Sequence, residues 1–412
     1  MPLRELRLQD LRCLPFVEVQ LHSGMNLITG ENGAGKTTLL EAIYLLGRGR
    51  SFRTRHVAQL IRQGQSRCWV AGRVETAPEA DQWAEPRVTD RTDHVSIDGA
   101  HDKALGGDSG QEAASHAASM RYDVQSVVQA GAHATERTQR QRRVDVSCDG
   151  EGVVARIDGQ AVDSLVELSR LLPVQAIDPN IHRLVEEGPA LRRRWLDWAV
   201  FHVEPAFMPQ WQGYMRTLRQ RNAALRSGWD PVPWETELIR LGEALTAARE
   251  RVMAELRPVW ESTVADMGAV ATTLGLARGW SREESLAEAL GRHRERDRER
   301  GVTGQGPHRC DVVLRIDGRP ARDIVSRGQQ KVLGAVMALT IMRYLTTRLG
   351  AVPMLLLDDP AAELDATHTE ALLHLVARLG GQCVATALHP QLLAGPPADR
   401  VFHVERGRVK QL

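Results

Sequence analysis

Three short segments of the chain carry residues whose types and spacing suit the binding of a nucleotide and a metal ion. The first is GENGAGKT, which has the P-loop spacing Gly30-x4-Gly35-Lys36-Thr37. Glycines allow backbone N–H groups to surround a phosphate without Cβ clashes, and the following helix start favours the same anion. Lys36 is predicted to bridge the β- and γ-phosphates, and Thr37 is predicted to hold Mg²⁺.

The whole loop is predicted to contact the nucleotide, with Asn32 facing the γ-phosphate. A chance glycine-rich turn is the alternative, but a predicted strand before the loop and a predicted helix after it argue against that alternative. The predicted nucleotide-binding residues of this segment are Gly30, Glu31, Asn32, Gly33, Ala34, Gly35, Lys36, Thr37 and Thr38.

The second segment, MLLLDDPAAELD, is an apolar strand that ends in two carboxylates. Asp358 is the predicted Mg²⁺ ligand, and Asp359 is placed to orient an attacking water, although a surface acid is the alternative for Asp359. Transporter-type ATPases usually carry Glu at this second position. Because Asp is one methylene shorter, we expect slow hydrolysis, which suits a weak ATPase used as a switch and not a metabolic enzyme.

The third segment, SRGQQK, opens a predicted helix at Ser326 and resembles the signature motif of ABC-type ATPases. Ser326 and the free N–H groups of a helix start suit a γ-phosphate, although an ordinary N-cap is the alternative. In ABC-type ATPases the signature completes the site of a second subunit. The resemblance therefore implies an ATP-dependent homodimer in which Ser326, Gly328 and Gln329 contact the partner's ATP. Lys36, Asp359 and Ser326 are the predicted catalytic residues, and ATP with Mg²⁺ the predicted cofactors.

Further positions near the carboxylates are candidates for the same site. Asp365 in ELD is predicted to lie at the dimer seam. Thr386 and His389, both in VATALHP, are alternatives for a switch residue near the γ-phosphate, and a structural role suits either of them equally well.

The hydrophobic pattern predicts the elements that must position these segments. Alternating apolar residues predict strands over residues 3–29, and a spacing of three or four predicts a helix from Lys36. Residues 181–260 are predicted to form a helical hairpin, and the α/β pattern returns from residue 307. The predicted fold class is α/β: an ABC-ATPase-like split head domain, which is a P-loop NTPase with an antiparallel β subdomain, and an inserted helical arm domain.

The predicted domain division has three parts. Residues 1–198 form the N-terminal half of the ATPase head, residues 199–305 the helical arm, and residues 306–412 the C-terminal half of the head. Within the first part, residues 76–143 are poor in large apolar side chains and cannot offset their ordering entropy, so we predict a largely disordered insertion. A β-hairpin with turns at Asp-Gly pairs follows.

Composition limits the classes of function. The chain has 412 residues with 53 Lys and Arg against 52 Asp and Glu, so nucleic-acid binding would need a local basic patch. The longest apolar run, residues 332–342, is shorter than the ~20 residues that cross a bilayer, and the N-terminus has no signal-peptide core, so no membrane association is expected. Five scattered cysteines without a CxxC pair indicate reduced thiols in the cytoplasm, with neither a disulfide frame nor a zinc site.

Five sequence blocks together resemble the RecF family of bacterial recombination-mediator proteins. They are GENGAGKTTLLEAIYLLGRGRSFRT (30–54), LLPVQAIDPNIHRLVEEGPALRRRWLDW (171–198), GPHRCDV (306–312), SRGQQKVLGAVMAL (326–339) and LLLDDPAAELD (355–365). The paired DD and the RGQQK form of the signature are what this family shows in place of the transporter forms. Two features depart from the family: residues 76–143 have no recognised counterpart, and Val325 stands where Leu is usual.

The resemblance implies cytoplasmic, ATP-dependent dimers that bind DNA, whether single-stranded, gapped or duplex. It implies RecO and RecR as partners at gaps and stalled forks, where the family helps to load RecA in recombinational repair and the SOS response. Three rival functions are a transporter's nucleotide-binding subunit, a metabolic P-loop kinase and a chromosome-tethering ATPase. The helical arm disfavours the transporter subunit, and the signature helix disfavours the kinase. The lack of a long coiled coil disfavours the chromosome-tethering ATPase.

Local arginine clusters supply the charge that DNA binding requires. The first choice is GRGRSFRTR, because its place after the P-loop helix could couple DNA to the nucleotide site. Its candidate DNA contacts are Arg48, Arg50, Arg53 and Arg55. Further clusters contain Arg192, Arg193 and Arg194, then Arg216, Arg219, Arg221 and Arg226, and RTQRQRR, which ends at Arg143. Each cluster has a solvated surface as its alternative, and without a helix-turn-helix or an aromatic array we predict recognition of shape or junctions.

Overall fold

A computed structural model describes residues 1–76, 140–390 and 397–412. The strands are β1 (Leu3–Leu11), β2 (Leu14–Gln20), β3 (Met25–Thr29), β4 (Arg67–Thr76), β5 (Arg140–Asp149), β6 (Val153–Ile157), β7 (Gln160–Ala161), β8 (Val174–Ile177), β9 (Thr273–Ala277), β10 (Asp311–Ile316), β11 (Arg319–Pro320), β12 (Met354–Leu357), β13 (Cys383–Ala387), β14 (Arg400–Glu405) and β15 (Arg408–Gln411). The helices are α1 (Lys36–Arg48), α2 (Val166–Leu171), α3 (Arg183–Glu186), α4 (Pro189–Val203), α5 (Phe207–Arg226), α6 (Glu235–Asp266), α7 (Leu286–Arg300), α8 (Arg327–Leu349), α9 (Pro360–Glu363) and α10 (Ala366–Leu379).

The two ends of the chain build one sheet, with strand order β15-β14-β3-β13-β12-β8. Neighbouring strands are parallel except for β14 and β15. Strand β3 comes from the N-terminal half of the chain and lies between β13 and β14, which come from the C-terminal half. The predicted split α/β head is therefore confirmed.

A second sheet, with order β2-β1-β4-β5-β6-β7, is antiparallel throughout and forms the predicted β subdomain. Helix α1 packs between this sheet and the parallel sheet, which buries Leu39, Leu40 and Ile43 completely or almost so. The helix that follows the phosphate loop is thus held by both layers.

The predicted insertion at residues 76–143 lies almost entirely outside the described residues. Its two ends are an exception, because Thr76 ends β4, residues 140–143 begin β5, and the backbones of Thr76 and Arg140 pair in the ladder. The predicted boundaries therefore fall inside paired strands, and the prediction of disorder does not apply to these ends.

The helical arm consists of α5 and α6 with the shorter α7 beside them. Helix α6 has 32 residues, and the sequence did not predict α7. Helix α4 continues through the predicted boundary at residue 198, and β9 of the middle part pairs with β10 of the C-terminal part. The division at residues 198 and 305 therefore stays a proposal.

Helix α8 begins at the signature segment and runs through the core of the fold. Among the described residues it alone has the length and composition of a membrane-spanning helix, but 72% of its most apolar window is buried inside the protein. The Trp195 indole of α4 donates a hydrogen bond of 2.9 Å to the Met337 carbonyl of α8. Packing within the fold thus accounts for the apolar composition of helix α8.

Candidate nucleotide-binding site

The phosphate loop joins the end of β3 to the start of α1 with a backbone that only glycine adopts without strain. Gly30 and Gly35 have φ angles of 147° and 113°. A Cβ atom at Gly30 would lie 2.3 Å from the Val404 carbonyl oxygen of β14, so the strand beside the loop excludes any larger residue. The glycines are therefore needed both for the turn and for its close approach to the sheet.

The Lys36 side chain turns back into this loop. Its ammonium group donates to the carbonyl oxygens of Gly30 and Glu31, at 2.7 and 3.1 Å, and the residue is only 7% exposed. The positive charge thus sits at the concave side of the loop, where the sequence predicted a phosphate.

Thr37 and Asp358 meet at the edge of the parallel sheet. The Thr37 hydroxyl donates to Asp358 Oδ1 at 2.8 Å, although the residues are 321 positions apart in the chain. Thr386, at the end of the neighbouring strand β13, also donates to Asp358 Oδ1 at 2.9 Å. A hydroxyl and a carboxylate within hydrogen-bonding distance are the hard oxygen ligands that Mg²⁺ prefers, so these residues fit the predicted ion.

Asp359 follows Asp358 in a strained conformation, with φ at 48°. Its backbone N–H donates to the Thr386 hydroxyl at 2.9 Å, which holds the turn. Burial raises the pKa of Asp359, Lys36 partly offsets that effect, and Asp358 adds to the rise. Asp359 is thus a half-buried carboxylate beside both the predicted metal ligand and the predicted phosphate-binding lysine.

The structure brings the Thr386 hydroxyl to the Asp358 carboxylate and to the Asp359 backbone N–H, and it leaves His389 exposed at the protein surface. The sequence left these two open as switch residues. The geometry favours Thr386, because its side chain contacts both Asp358 and Asp359 whereas His389 lies beyond the end of β13.

A third carboxylate at the same edge was missed by sequence reasoning. Asp178 directly follows strand β8. The last residue of that strand, Ile177, pairs with Leu357 of β12, and its carbonyl accepts the Asp358 N–H at 2.9 Å. Burial raises the pKa of Asp178 to about 6, and the Asp358 charge adds to the rise. The available signal was VQAID, an apolar strand that ends in an acid as MLLLDD does.

The signature helix α8 begins with a complete capping box. Ser326 Oγ accepts the Gln329 N–H at 3.3 Å, and the Gln329 side chain accepts the Ser326 N–H at 2.9 Å. Residues 326–329 are all exposed. Ser326 is therefore an N-cap, as the alternative reading held, and its helix start is also open to a second molecule.

Asp365 lies at a second exposed helix start. Its carboxylate caps α10 by accepting the His368 N–H at 2.9 Å, and it lies 2.6 Å from the His368 ring. These contacts lower the pKa of Asp365. A position at a dimer seam stays a prediction for this residue.

The predicted DNA-contact loop is attached to α1 through a buried carboxylate that the sequence analysis missed. Glu41, in the second turn of α1, is completely buried and accepts hydrogen bonds from the Arg12 guanidinium and the Ser51 hydroxyl. Ser51 Oγ in turn accepts the N–H groups of Arg53 and Thr54 at 2.9 and 3.1 Å. An acid within the apolar run TTLLEAIYLL was the available signal.

The four arginines of the first-choice cluster differ in environment. Arg48 is half-buried, with its guanidinium 4.3 Å from the Trp198 ring and Nε donating to the Val174 carbonyl at 3.1 Å. Arg53 and Arg55 are exposed, and Arg50 is half-buried. DNA contact by these residues stays a prediction, and Arg48 has a structural role as well.

Several arginines of the other clusters belong to the protein interior. Arg192, Arg193 and Arg221 are at most 5% exposed. Each of them has a partner within the fold: the ion pairs are Arg192–Asp311, Arg221–Glu235 and Arg221–Asp297, each at 2.9 Å, and Arg193 donates a hydrogen bond of 2.7 Å to the Cys310 carbonyl. The interpretation of these three residues as phosphate contacts is wrong, because each is already desolvated and bonded within the fold.

Fold and site together define the class of the protein: an ATPase head of the kind shared by RecF and SMC proteins. Residues 2–103 match the family model described as RecF/RecN/SMC N terminal domain. An SMC head bound to the C-winged helix domain of ScpA has a TM-score of 0.51 at 13% identity, covering 100% of this chain and 98% of that one. A structure of the recombination mediator protein RecF-ATP in the RecFOR pathway has a TM-score of 0.76 at 20% identity, covering 100% and 99%.

Full-length relatives narrow the class to one family. The DNA replication and repair protein RecF of Thioalkalivibrio sulfidiphilus is 35% identical, over 100% of this chain and 99% of the relative. The protein of the same name from Xanthomonas axonopodis pv. citri is 36% identical, over 98% and 97%. The chain belongs to the RecF family.

Proposed function

We propose that this chain is an ATP-dependent DNA-binding protein of recombinational repair and replication-fork recovery. Its relatives are named for DNA replication and repair, and a structural neighbour is RecF-ATP in the RecFOR pathway. In this proposal it acts in the cytoplasm at gaps or junctions with RecO and RecR, helps to load RecA and supports the SOS response.

The observation that carries the proposal is the grouping of Thr37, Asp358 and Thr386 beside a glycine-bounded phosphate loop. With ATP as substrate, Lys36 exchanges its two loop carbonyls for phosphate oxygens, and the loop N–H groups bind the same phosphates. Thr37 and Asp358 would hold Mg²⁺. When bound, Mg²⁺ neutralises phosphate charge and orients the leaving group.

Hydrolysis is proposed to be weak and to act as a switch. In this proposal Asp359 orients water and accepts its proton, and its raised pKa supports that role because it makes the carboxylate a better base than an exposed aspartate. Its side chain is short and its backbone is fixed by the bond to Thr386, so its reach toward the phosphate is limited.

ATP is proposed to join two copies of the chain. Residues 326–329 are exposed at the start of a 23-residue helix whose middle, residues 332–342, is buried in the core. A rigid helix with an accessible N-terminus can present Ser326, Gly328 and Gln329 to the triphosphate of a second copy.

DNA binding is proposed to reach the nucleotide site through Glu41. The Arg53 backbone N–H donates a hydrogen bond to the Ser51 hydroxyl, and this hydroxyl donates to the Glu41 carboxylate. Glu41 lies on α1, the helix that begins with Lys36 and Thr37. A DNA phosphate that displaces this loop would therefore act directly on α1, the helix that follows the P-loop.

The test measures ATP hydrolysis and sedimentation together, with and without a gapped duplex. We expect ATP with Mg²⁺ to shift the protein from monomer to dimer, and gapped DNA to stimulate slow hydrolysis. A transporter subunit would dimerise without responding to DNA, and a kinase would do neither. A protein that stays monomeric in saturating ATP, Mg²⁺ and DNA would contradict the proposal.

A further inference from the structure

The outer side of α5 is a strip of positive charge that faces solvent. Arg216, Arg219 and Arg226 are all exposed and share one helix face, because residues three, seven or ten apart lie close in azimuth. Helix α5 contains no acidic residue. Within the part of the chain that the structure describes, none of these three arginines forms an ion pair or a hydrogen bond. We call them the arm strip.

The three arginines of the arm strip lack the carboxylate partners that Arg240 and Arg251, two exposed arginines of the same domain, possess. Arg240 pairs with Glu237 at 2.6 Å, and Arg251 pairs with Glu204 at 2.8 Å. A merely solvated helix face normally mixes charges of both signs. The arm strip therefore keeps its full charge available for a polyanion.

An exposed tryptophan stands at the end of the arm strip. Trp229 is 66% exposed, the largest exposed fraction of any tryptophan in the described residues. Its backbone N–H donates to the Ala224 carbonyl at 2.9 Å, which closes the C-terminal cap of α5 together with Gly228 at φ 74°. The cap uses main-chain atoms, so the fold does not require the indole ring there.

We propose that the arm strip and Trp229 bind a single strand of nucleic acid, with the arginines on its phosphates and the indole stacked on an unpaired base. The strip is about 15 Å long, a length over which one strand of a B-form duplex carries about four phosphates. In a duplex the bases stack on one another and cannot reach a surface side chain, so an exposed indole gains energy only from an unpaired base. This inference rests on the proposed DNA-binding function and adds that the arm holds the single-stranded part of a gap.

The test uses fluorescence anisotropy with a labelled oligothymidylate of about 20 nucleotides and a duplex of equal length, at several salt concentrations. Arg219→Ala with Arg226→Ala should weaken single-strand binding at least about 10-fold and lower the salt slope by about 1.4, since each lost contact removes about 0.7. Duplex binding should change by less than about twofold, because the candidate contacts for duplex DNA are the arginines of GRGRSFRTR, at residues 47–55. Arg240→Ala, which removes a paired arginine from the same domain, is the matched control and should change neither.

The stacking role of Trp229 is tested by replacing it with a side chain that lacks an aromatic ring and with one that retains such a ring. Trp229→Leu should weaken single-strand binding about 5- to 150-fold, the range expected for one lost base stack, and Trp229→Phe should retain most of the affinity. Circular dichroism and thermal unfolding of each variant verify the fold. Equal losses in the Leu and Phe variants would overturn the stacking.

Unchanged single-strand affinity and salt slope in the folded double arginine variant would overturn the whole inference. Normal single-strand binding combined with lost capture of a partner protein would also overturn it, and would assign the arm strip to protein docking. If the unaltered protein binds neither DNA, the proposed function itself fails, which differs from a failure confined to the arm variants.

Discussion

The ammonium group of Lys331 lies 2.7 Å from the carboxylate of Glu363. Lys331 is in the second turn of the signature helix α8, and Glu363 ends α9, the short helix that follows Asp359. Both side chains are only about one-fifth exposed, at 22% and 20%, so salt screens this pair less than a surface pair. The contact joins the signature helix to the segment between Asp359 and Asp365.

Loss of the Lys331–Glu363 ion pair should weaken the ATP-driven association of two copies more than it weakens the affinity for ATP. For Lys331→Met we expect a dimer constant about 5-fold weaker, which corresponds to about 1 kcal/mol, with ATP affinity within about twofold. Sedimentation and nucleotide titration measure the two quantities. The double variant Lys331→Glu with Glu363→Lys restores the pair and should recover most of the dimer, and an equal deficit in the double variant would contradict the role of this contact.

Ser326→Arg should leave ATP binding intact and prevent ATP-driven dimerisation, because the larger cation occupies the exposed start of α8. Lys36→Met is the contrasting variant: it removes the ammonium group from the phosphate loop and should abolish or severely weaken nucleotide binding itself. Both are measured by nucleotide titration followed by sedimentation. Normal dimers in Ser326→Arg would reject a site completed by a second copy.

Asp359→Asn should trap an ATP-bound dimer. The amide retains the size of the side chain but cannot accept a proton from water, so we expect hydrolysis to fall at least about 100-fold, the range of lost general-base catalysis. DNA residence should lengthen in proportion, as followed by dissociation from a labelled gapped duplex. A variant that hydrolyses ATP normally would remove Asp359 from the catalytic group.

Glu41→Gln should uncouple DNA from hydrolysis. It leaves the half-buried Arg12 guanidinium without a countercharge and weakens the anchor of Ser51, so we expect a loss of about 1–3 kcal/mol in the free energy of unfolding. DNA should stimulate hydrolysis less, while ATP affinity changes little. Glu18→Gln, which alters an exposed partner of Arg7, is the control and should cost under about 0.5 kcal/mol. Full stimulation by DNA in the Glu41 variant would exclude the proposed route.

The pKa of Asp178 predicts a pH dependence of stability. Its folded pKa of about 6 lies above the ordinary aspartate pKa of 3.8, so the folded state holds this proton more tightly than the unfolded chain does. The contribution of Asp178 to stability is therefore fully present below about pH 4 and is lost as pH rises through about 6. Without nucleotide or metal, Asp178→Asn should raise the free energy of unfolding by up to about 3 kcal/mol at pH 7.5 and by almost nothing at pH 4.

Urea unfolding at the two pH values measures this difference. Asparagine retains the acceptor for the Asn180 N–H, which bonds to Asp178 at 2.8 Å, so the turn after β8 is preserved. Equal effects of the substitution at both pH values would show that the Asp178 carboxylate is not perturbed in the folded protein.

The sequence alone determined the class of fold, and it predicted most of the residues that form the candidate nucleotide site. Within each of the segments GENGAGKT, SRGQQK and MLLLDD, the functional candidates lie within a few residues of one another. Each segment depends on a local junction between elements that the hydrophobic pattern reveals. The order of these segments then required that the two ends of the chain share one head.

Only the tertiary structure decided which charged residues are buried and which partners they have. Arg221 and Arg226 belong to one arginine-rich stretch, yet one is enclosed by two carboxylates and the other faces solvent. Glu41 and Thr386 likewise acquired their roles from neighbours distant in the chain. The physical reason is that burial and pairing depend on contacts between sheets and helices, whereas residue type and local periodicity describe one element at a time.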